Sequence, residues 1–375
     1  MCYPIHRMFI HAGIDDVRES FLRINTWGMK ATSADTIFTR AEELDLRDFR
    51  HEVRQKVHES FGVIPDMPIL FAMAAIHGAS EARGEALNNV IHRLQNAVQD
   101  DLSRRKSLAS GWHKLGDCFG QAIDYLRVNF SVLNSQYLYS DYIAAMLALF
   151  LYWNRGGPSN HQKEQLRKWF WATNVGSRYS GQNFNRCIPE DIKFFKRLAK
   201  SQKAKFIYKP QVDHHDVKKD NYTGKTGITC AVCCMLLRRK PVQLNDNGLN
   251  DIPVDNFATD TNRKNRHHIY PKALLSWHSI PPKLYNSIAN ICLLTSTENF
   301  GISAKRPRSY LREIKETTTH FKQKMYRHLI PIDEDSGIWE TNVRKGYYRF
   351  LENRTKMICQ ALEEEAGIKL FRRDV

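Results

Sequence analysis

The chain has 375 residues, and its 56 Lys and Arg outnumber its 40 Asp and Glu to give a formal net charge of +16. This length excludes a small scaffold held by disulfides and suffices for two or three folding units with separate cores. The positive excess favours a phosphate polymer or an anionic membrane surface as the partner, and we expect nucleic acid.

The most apolar stretch is YIAAMLALFLYW, from Tyr142 to Trp153. It is too short to cross a bilayer, so it predicts a buried helix. The N-terminal MCYPIHRMFIHAGIDD lacks the continuous apolar segment and the small-residue cleavage site of a secretion signal. The eight cysteines are mostly scattered, unlike those of a secreted disulfide framework. We therefore expect a cytoplasmic protein with no membrane partner.

From Asp15 to about Leu198 the pattern is helical. Apolar residues recur at three- and four-residue spacing in DDVRESFLRI, SADTIFTRAEEL and EALNNVIHRLQNAVQDDL. Ser33 and Ser140 stand where helix N-caps belong. The sequence predicts an all-helical first domain over residues 1–198.

A lysine-rich segment without clear period, residues 199–225, predicts a basic linker. Residues 226–375 form the predicted second domain. Its short β-like runs are followed by helical patterns: GITCAVC, HHIYP and NICLLT, then SYLREIKETTTHFKQKMYRHLI and GYYRFLENRTKMICQALEEEAG. The predicted fold class is mainly α with a small α+β unit, in which a helical N-terminal domain precedes a C-terminal unit flanked by helices.

The CAVCC cluster contains Cys230, Cys233 and Cys234. Cys230 and Cys233 have the spacing of a zinc knuckle, but the second pair that a tetrahedral site needs is missing. Only His214, His215 and Cys292 could supplement them. We favour partly buried free thiols on a strand, and a structural zinc at Cys230 and Cys233 is the alternative.

Two adjacent histidines, His267 and His268, open the stretch HHIYPKALL. Asn290 precedes the run ICLLT, and Asn299 follows nine positions later. A capping box, TSTE, places Asn299 on the first turn of a short helix directly after that strand. Metal-assisted phosphodiester cleavage needs such groups to hold an ion, deprotonate water and orient the base. Alternatively, the histidines are a polar surface pair and the asparagines are caps.

This order of strand, strand and helix resembles the HNH nuclease motif, a ββα unit that clasps one metal ion. The resemblance implies that His267 is the first metal ligand and His268 the general base. It makes Asn290 the residue that orients the base and Asn299 the second ligand, with Mg²⁺ or Mn²⁺ as the ion. Adjacent strand residues point to opposite faces, so we expect an irregular strand if both histidines serve.

The similarity extends further along the chain. HHIYPKALL, NSIANICLLTSTEN and ISAKRPRSYL resemble the C-terminal nuclease domain of GmrSD-type restriction endonucleases, and FLRINTWGMKATSADTIFTRA and LRKWFWATNVGSRYSG resemble other parts of that family. The resemblance implies a metal-dependent DNA endonuclease of a bacterial anti-phage restriction system. We expect four cations to contact DNA phosphates, although they could equally be a solvated charge run: Lys272, Lys305, Arg306 and Arg308.

The chain also departs from that family. Members begin with a nucleotide-binding domain resembling ParB and sulfiredoxin, marked by a DGQQR-like motif, whereas only 22 residues precede Arg23 here. We therefore expect no NTP site on this chain, and either a truncated gene or a separate subunit that carries the missing lobe. Modified phage DNA is the implied partner. The rival hypothesis is a catalytically inactive nucleic-acid-binding regulator or scaffold, and no RNA-binding signature distinguishes an RNA-directed nuclease.

Overall fold

The protein is described by a computed structural model that covers residues 46–80, 85–98, 101–154, 156–200, 203–258 and 266–372, together with Ile37 and Leu44. Helices dominate these ranges, and two short strands form a two-stranded antiparallel sheet. The predicted class, mainly α with a small α+β unit, is confirmed at this level. RINTWG and the predicted cap Ser33 lie outside the described residues.

Seven helices form the described N-terminal part: α1 (Leu46–Lys56), α2 (Asp66–Ile76), α3 (Glu85–Val98), α4 (Leu102–Phe130), α5 (Tyr142–Trp153), α6 (Asn160–Val175) and α7 (Phe184–Lys200). Helix α5 packs against α2, α4 and α7, and every residue from Tyr142 to Phe150 is buried. A helix that is apolar on all sides needs neighbours on all sides. The prediction of a buried helix is confirmed, and no helix in the described ranges combines the length and the apolar character needed to cross a membrane.

Local details of this part test the sequence patterns. Trp169, Phe170 and Trp171 are fully buried, as predicted for core residues, and the Phe170 ring stacks on Phe130 at 4.0 Å between centroids. The predicted N-cap Ser140 is wrong by one position. Helix α5 has Asp141 at its N-cap, while the Ser140 carbonyl accepts a hydrogen bond from the Ile143 N–H.

The C-terminal part alternates short elements with one long helix. Its elements are α8 (His214–Lys219), α9 (Gly227–Arg238), α10 (Asp255–Ala258), β1 (Arg266–His268), α11 (Lys272–Trp277), α12 (Pro282–Tyr285), β2 (Ile291–Leu293), α13 (Ser296–Ile302), α14 (Pro307–Thr317), α15 (Phe321–Arg327) and α16 (Val343–Ala366). Helix α16 ends at Gly367, whose φ of 67° lies in the left-handed region.

The predicted strand GITCAVC is wrong, because these residues begin helix α9. Thr226 caps the helix by accepting a hydrogen bond from the Thr229 N–H, and the residues from Gly227 to Leu237 are all buried. An evenly apolar run has no period that separates a buried strand from a buried helix. Gly227 permits close packing on α6, since an added Cβ would lie 1.9 Å from the Asn174 carbonyl oxygen.

The basic segment 199–225 is more ordered than its composition suggests. Helix α7 continues to Lys200, and α8 begins with a capping box of Asp213 and Asp216 and packs against α16. Helix α6 contacts both α9 and α16, so the two predicted domains pack against each other. The domain boundary within 199–225 remains a prediction.

Candidate active site

The centre of the candidate site is a small antiparallel sheet. Arg266, His267 and His268 of β1 pair with Leu293, Cys292 and Ile291 of β2, and a bend follows at Ile269 and Tyr270. The strand predictions for HHIYP and NICLLT are confirmed over these residues. The three pairs are in regular register, so the irregularity expected within the strand is absent from it. His267 consequently faces one side of β1, and Arg266 and His268 face the other.

The helix predicted after β2 is present as α13. Thr295 is its N-cap and accepts a hydrogen bond from the Glu298 N–H, as the predicted capping box requires. The Glu298 carboxylate does not complete that box. It turns instead to the backbone N–H groups of Leu244 and Asn245, at 2.6 and 3.2 Å. Glu298 therefore ties α13 to a distant loop, and the cap keeps Asn299 in the first turns of the helix.

His267 and Asn299 meet between the sheet and α13. The imidazole Nδ1 donates a hydrogen bond to the Asn299 Oδ1 at 2.5 Å. His267 is only 3% exposed, and its Nε2 is buried with no hydrogen-bond partner among the described residues. Burial lowers the pKa of His267 to about 4, so at neutral pH the ring is neutral and keeps a lone pair.

These two side chains fit a divalent ion in their donor chemistry. Imidazole nitrogen and amide oxygen are both metal ligands. Asn299 is half-buried, so the contact between His267 Nδ1 and Asn299 Oδ1 lies nearer to solvent than the enclosed Nε2 of His267. An ion bound there would replace the hydrogen bond, with the ring proton on Nε2. In the described ranges no three His, Cys, Asp or Glu side chains converge as a metal centre. Water and phosphate oxygens would have to complete the ligand set.

His268 lies on the other face of β1 and is half-buried. Its Nε2 is 3.4 Å from the Asn286 Oδ1, and its ring lies edge-on to Tyr222 at 4.9 Å between centroids. Burial lowers the pKa of His268 from its usual value, which keeps the imidazole neutral near pH 7. A neutral, partly accessible imidazole has the chemistry of a general base.

Asn290 fixes the backbone that follows His268. Its Oδ1 accepts from the Tyr270 N–H, and its Nδ2 donates to the carbonyls of Tyr270 and Tyr285, each at 3.0 Å. None of these bonds reaches a histidine side chain. Asn290 can therefore position His268 only through the main chain. Its role in orienting the base stays a prediction.

Arg354 of α16 is a supporting residue that the sequence analysis missed. Its buried guanidinium donates to the carbonyls of Ala289 and Ile291, on either side of Asn290, at 3.2 and 2.6 Å. Burial lowers the Arg354 pKa to about 10. Its spacing from Leu351 and Ile358 puts Arg354 on the buried stripe of α16, a signal visible in the sequence.

The predicted DNA-contacting cations occupy different surroundings. Lys272, Lys305 and Arg306 are exposed and Arg308 is half-buried. Lys305 pairs with Glu313 at 3.0 Å, whereas Arg306 and Arg308 line a cavity of about 260 Å³ at the start of α14. The contact with DNA remains a prediction.

The predicted zinc ligands Cys230 and Cys233 lie about one helical turn apart on α9. In a zinc knuckle the two cysteines instead flank a tight chain reversal. The Cys230 thiol donates to the Gln136 carbonyl at 3.7 Å, and burial raises its pKa to about 12. Burial also raises the pKa of Cys233. Zinc binds thiolates, so this environment favours the thiol form that the preferred hypothesis assumed.

No protein-family model matches the chain. The chain is similar to an uncharacterized protein of Methanocaldococcus jannaschii, with 21% identity over 373 residues, 92% of this chain and 61% of that protein. The chain thus spans about three fifths of the relative's length. Since that relative is itself uncharacterized, function has to be inferred from this chain's own residues.

Proposed function

We propose that the chain is a metal-dependent DNA endonuclease with an HNH-type site. The observation that carries the proposal is the contact between His267 on β1 and Asn299 on α13, in a unit where α13 follows the second of two paired strands and α11 and α12 connect those strands. The Asn290 bonds to Tyr270 support it, because they hold the turn after His268 in one conformation. The excess of cations supports a polyanionic substrate.

In the proposed reaction, His268 accepts a proton from water as the water oxygen adds to phosphorus, and the bond from phosphorus to one ester oxygen breaks. Asn290 and Arg354 keep the His268 backbone in place. His267 and Asn299 would hold a Mg²⁺ or Mn²⁺ ion, which when bound would stabilise charge on the phosphate and on the leaving oxygen. The pair contains no carboxylate, so we expect Mn²⁺ to support activity better than Mg²⁺.

The biological setting is proposed from the resemblance to GmrSD-type enzymes. In that setting the substrate is phage DNA that carries modified bases. Cytoplasmic restriction of incoming DNA is the corresponding cellular role.

One observation favours a second candidate, a nucleic-acid-binding scaffold without activity. His267 and His268 lie on opposite faces of a regular strand, and His267 is almost fully enclosed. Under this alternative, the His267–Asn299 bond only joins α13 to the sheet. DNA would bind without being cut.

A nicking assay on supercoiled plasmid separates the two functions. The purified full chain is incubated with 5 mM Mn²⁺ or Mg²⁺, about the concentration at which weak sites fill, with EDTA as the control. The nuclease proposal expects open circles that require the metal and disappear in His268→Ala. Plasmid that is shifted in a gel but stays supercoiled with either ion would support the scaffold instead.

A further inference from the structure

A cavity of about 160 Å³ lies beside the candidate base, on the face of β1 that carries Arg266 and His268. Arg266 and its partner Leu293 line it from the sheet, and Tyr222 lines it from the loop before α9. The Tyr222 carbonyl accepts a hydrogen bond from Arg266 at 2.9 Å, and its ring contacts His268. The cavity and the candidate base therefore share a wall.

The lining is cationic. Arg266 and Lys225 contribute positive charge, and none of the described residues that line the cavity carries a carboxylate. The nearby Asp220 carboxylate accepts hydrogen bonds from Thr226 and from the lining residue Thr229, both at 2.6 Å, so its lone pairs are partly engaged. Among the described residues, an anion in the cavity would thus meet two lining cations and no lining carboxylate.

Several donors there have no assigned protein partner. Arg266 has five N–H groups, of which the described residues engage one through Tyr222. Within the described ranges, Lys225 forms no ion pair and the Gln136 side-chain amide forms no hydrogen bond, although both line the cavity. Arginine, lysine and glutamine are residue types that contact phosphate oxygens in nucleic-acid complexes.

The volume limits the ligand. Sites for drug-sized molecules usually occupy roughly 300 to 1,000 Å³, so 160 Å³ suits a phosphate-sized group better than a whole nucleotide. Arg266 and His268 are two residues apart on one face of β1, a separation of about 7 Å along the strand. A phosphate held at Arg266 would place a neighbouring part of the same polymer near His268.

We propose that this cavity, bounded by Arg266, Lys225, Gln136 and Tyr222, binds a backbone phosphate of the nucleic acid next to the bond that is cut. The role of this cavity in cleavage rests on the proposed nuclease function. The binding of a phosphate there rests on the cavity alone. It also gives the substrate a contact on the face of the strand that carries His268.

The test measures binding without cleavage. Fluorescence anisotropy of a fluorescein-labelled DNA 12-mer is followed in EDTA over a salt series for the parent, Arg266→Gln and Lys225→Gln. The matched control is Lys283→Gln, which removes an exposed lysine of α12 outside the cavity. Each cavity variant should bind about 3- to 10-fold more weakly and lose roughly one from the log–log salt slope, with a smaller change for the control.

Arg266 is half-buried, so thermal melts accompany the series, and Arg266→Lys should regain part of the affinity because it restores the charge. The exposed position Lys225 keeps the test valid if Arg266→Gln fails to fold. Parental affinity and slope in Lys225→Gln and in every folded Arg266 variant would overturn the inference.

Competition identifies the source of the phosphate. Unlabelled 12-mer should displace the probe from the parent, and 5′-dAMP at the same phosphate concentration should not. Displacement by 5′-dAMP would overturn the assignment to a polymer phosphate. The two proposals fail separately. If the parent nicks no plasmid with Mn²⁺, the nuclease proposal is refuted. If the cavity variants of that protein nevertheless bind DNA more weakly, the phosphate site is supported.

Discussion

Two buried polar clusters, one in each part of the molecule, differ in how completely they are satisfied. In the helical part, Arg178 donates to Asp191 through its Nε and Nη2, and Asp191 also accepts from Tyr179 and Trp169. In the sheet unit, His267 makes one bond and keeps a buried Nε2 without a described partner. A complete network stabilises a fold, whereas a buried polar atom without a partner costs stability, so the His267 cluster is not built for stability alone.

The difference predicts that substitutions in the two clusters will affect different measurements. Changes around Arg178 should lower the free energy of unfolding. Any cleavage activity should then fall only in proportion to the fraction of folded protein. Changes around β1 should alter metal binding or cleavage with little effect on folding.

The largest effect is expected for His268→Ala. Removal of a general base costs on the order of 10² to 10⁴ in rate, so cleavage should nearly disappear while the melting temperature and DNA affinity change little. Nicking rates are measured beside thermal melts. His278→Ala, another half-buried histidine just after α11, is the matched control and should cut normally. A stable His268→Ala protein that cuts at the parental rate would end the catalytic assignment.

In the helical cluster, Asp191→Asn should lower the free energy of unfolding by about 3 to 5 kcal/mol, because it leaves the buried Arg178 without its main counter-charge. Urea denaturation measures the change. The control Glu190→Gln removes the more exposed partner of the same guanidinium and should cost less than about 1 kcal/mol. Equal losses in both variants would contradict the view that the buried pair dominates.

Protonation of His328 should make the C-terminal part sensitive to acid. His328 is buried and bonds Val242, and burial lowers its pKa to about 4, below the value of about 6.5 in the unfolded chain. The unfolded state therefore binds more protons between these values. Stability from this group is complete above pH 6.5, falls as the pH drops towards 4, and loses on the order of 3 kcal/mol in total.

Thermal and urea unfolding at pH 7.5, 6, 5 and 4 measure this dependence. His328→Gln keeps a donor for the Val242 carbonyl and cannot be protonated, so its stability should decline less than that of the parent. Identical pH profiles for the two proteins would show that His328 does not contribute.

The smallest effect concerns the basic segment. Lys205, Lys209 and Lys219 are exposed, and if they contact phosphates, their triple replacement by glutamine should weaken binding a few-fold for every DNA sequence and lower the salt slope by up to about 3. Anisotropy over a salt series checks it. An unchanged slope would remove residues 199–225 from the binding surface.

The sequence predicted the elements whose signals are local. Two short β-like runs and a threonine cap were enough to locate β1, β2 and α13. The irregular strand expected if both histidines serve is absent, and His267 and His268 lie on opposite faces of a regular strand. The sequence did not predict hydrogen bonds between residues that are far apart along the chain. The partners of Arg354 lie at least 25 positions away, and the Glu298 bond to Leu244 joins residues 54 positions apart. Helix α9 was mistaken for a strand because an evenly apolar segment carries no period.

Direct metal binding tests the central claim that His267 and Asn299 form an ion site. Mn²⁺ titration followed by electron paramagnetic resonance should show one bound ion per chain in the parent and a markedly weaker site in Asn299→Ala, since a lost ligand lowers affinity. Nicking by Asn299→Ala should recover partly at high Mn²⁺. If folded Asn299→Ala and His267→Ala proteins bind Mn²⁺ as the parent does, the contact between these residues is a structural hydrogen bond and the account of this site is wrong.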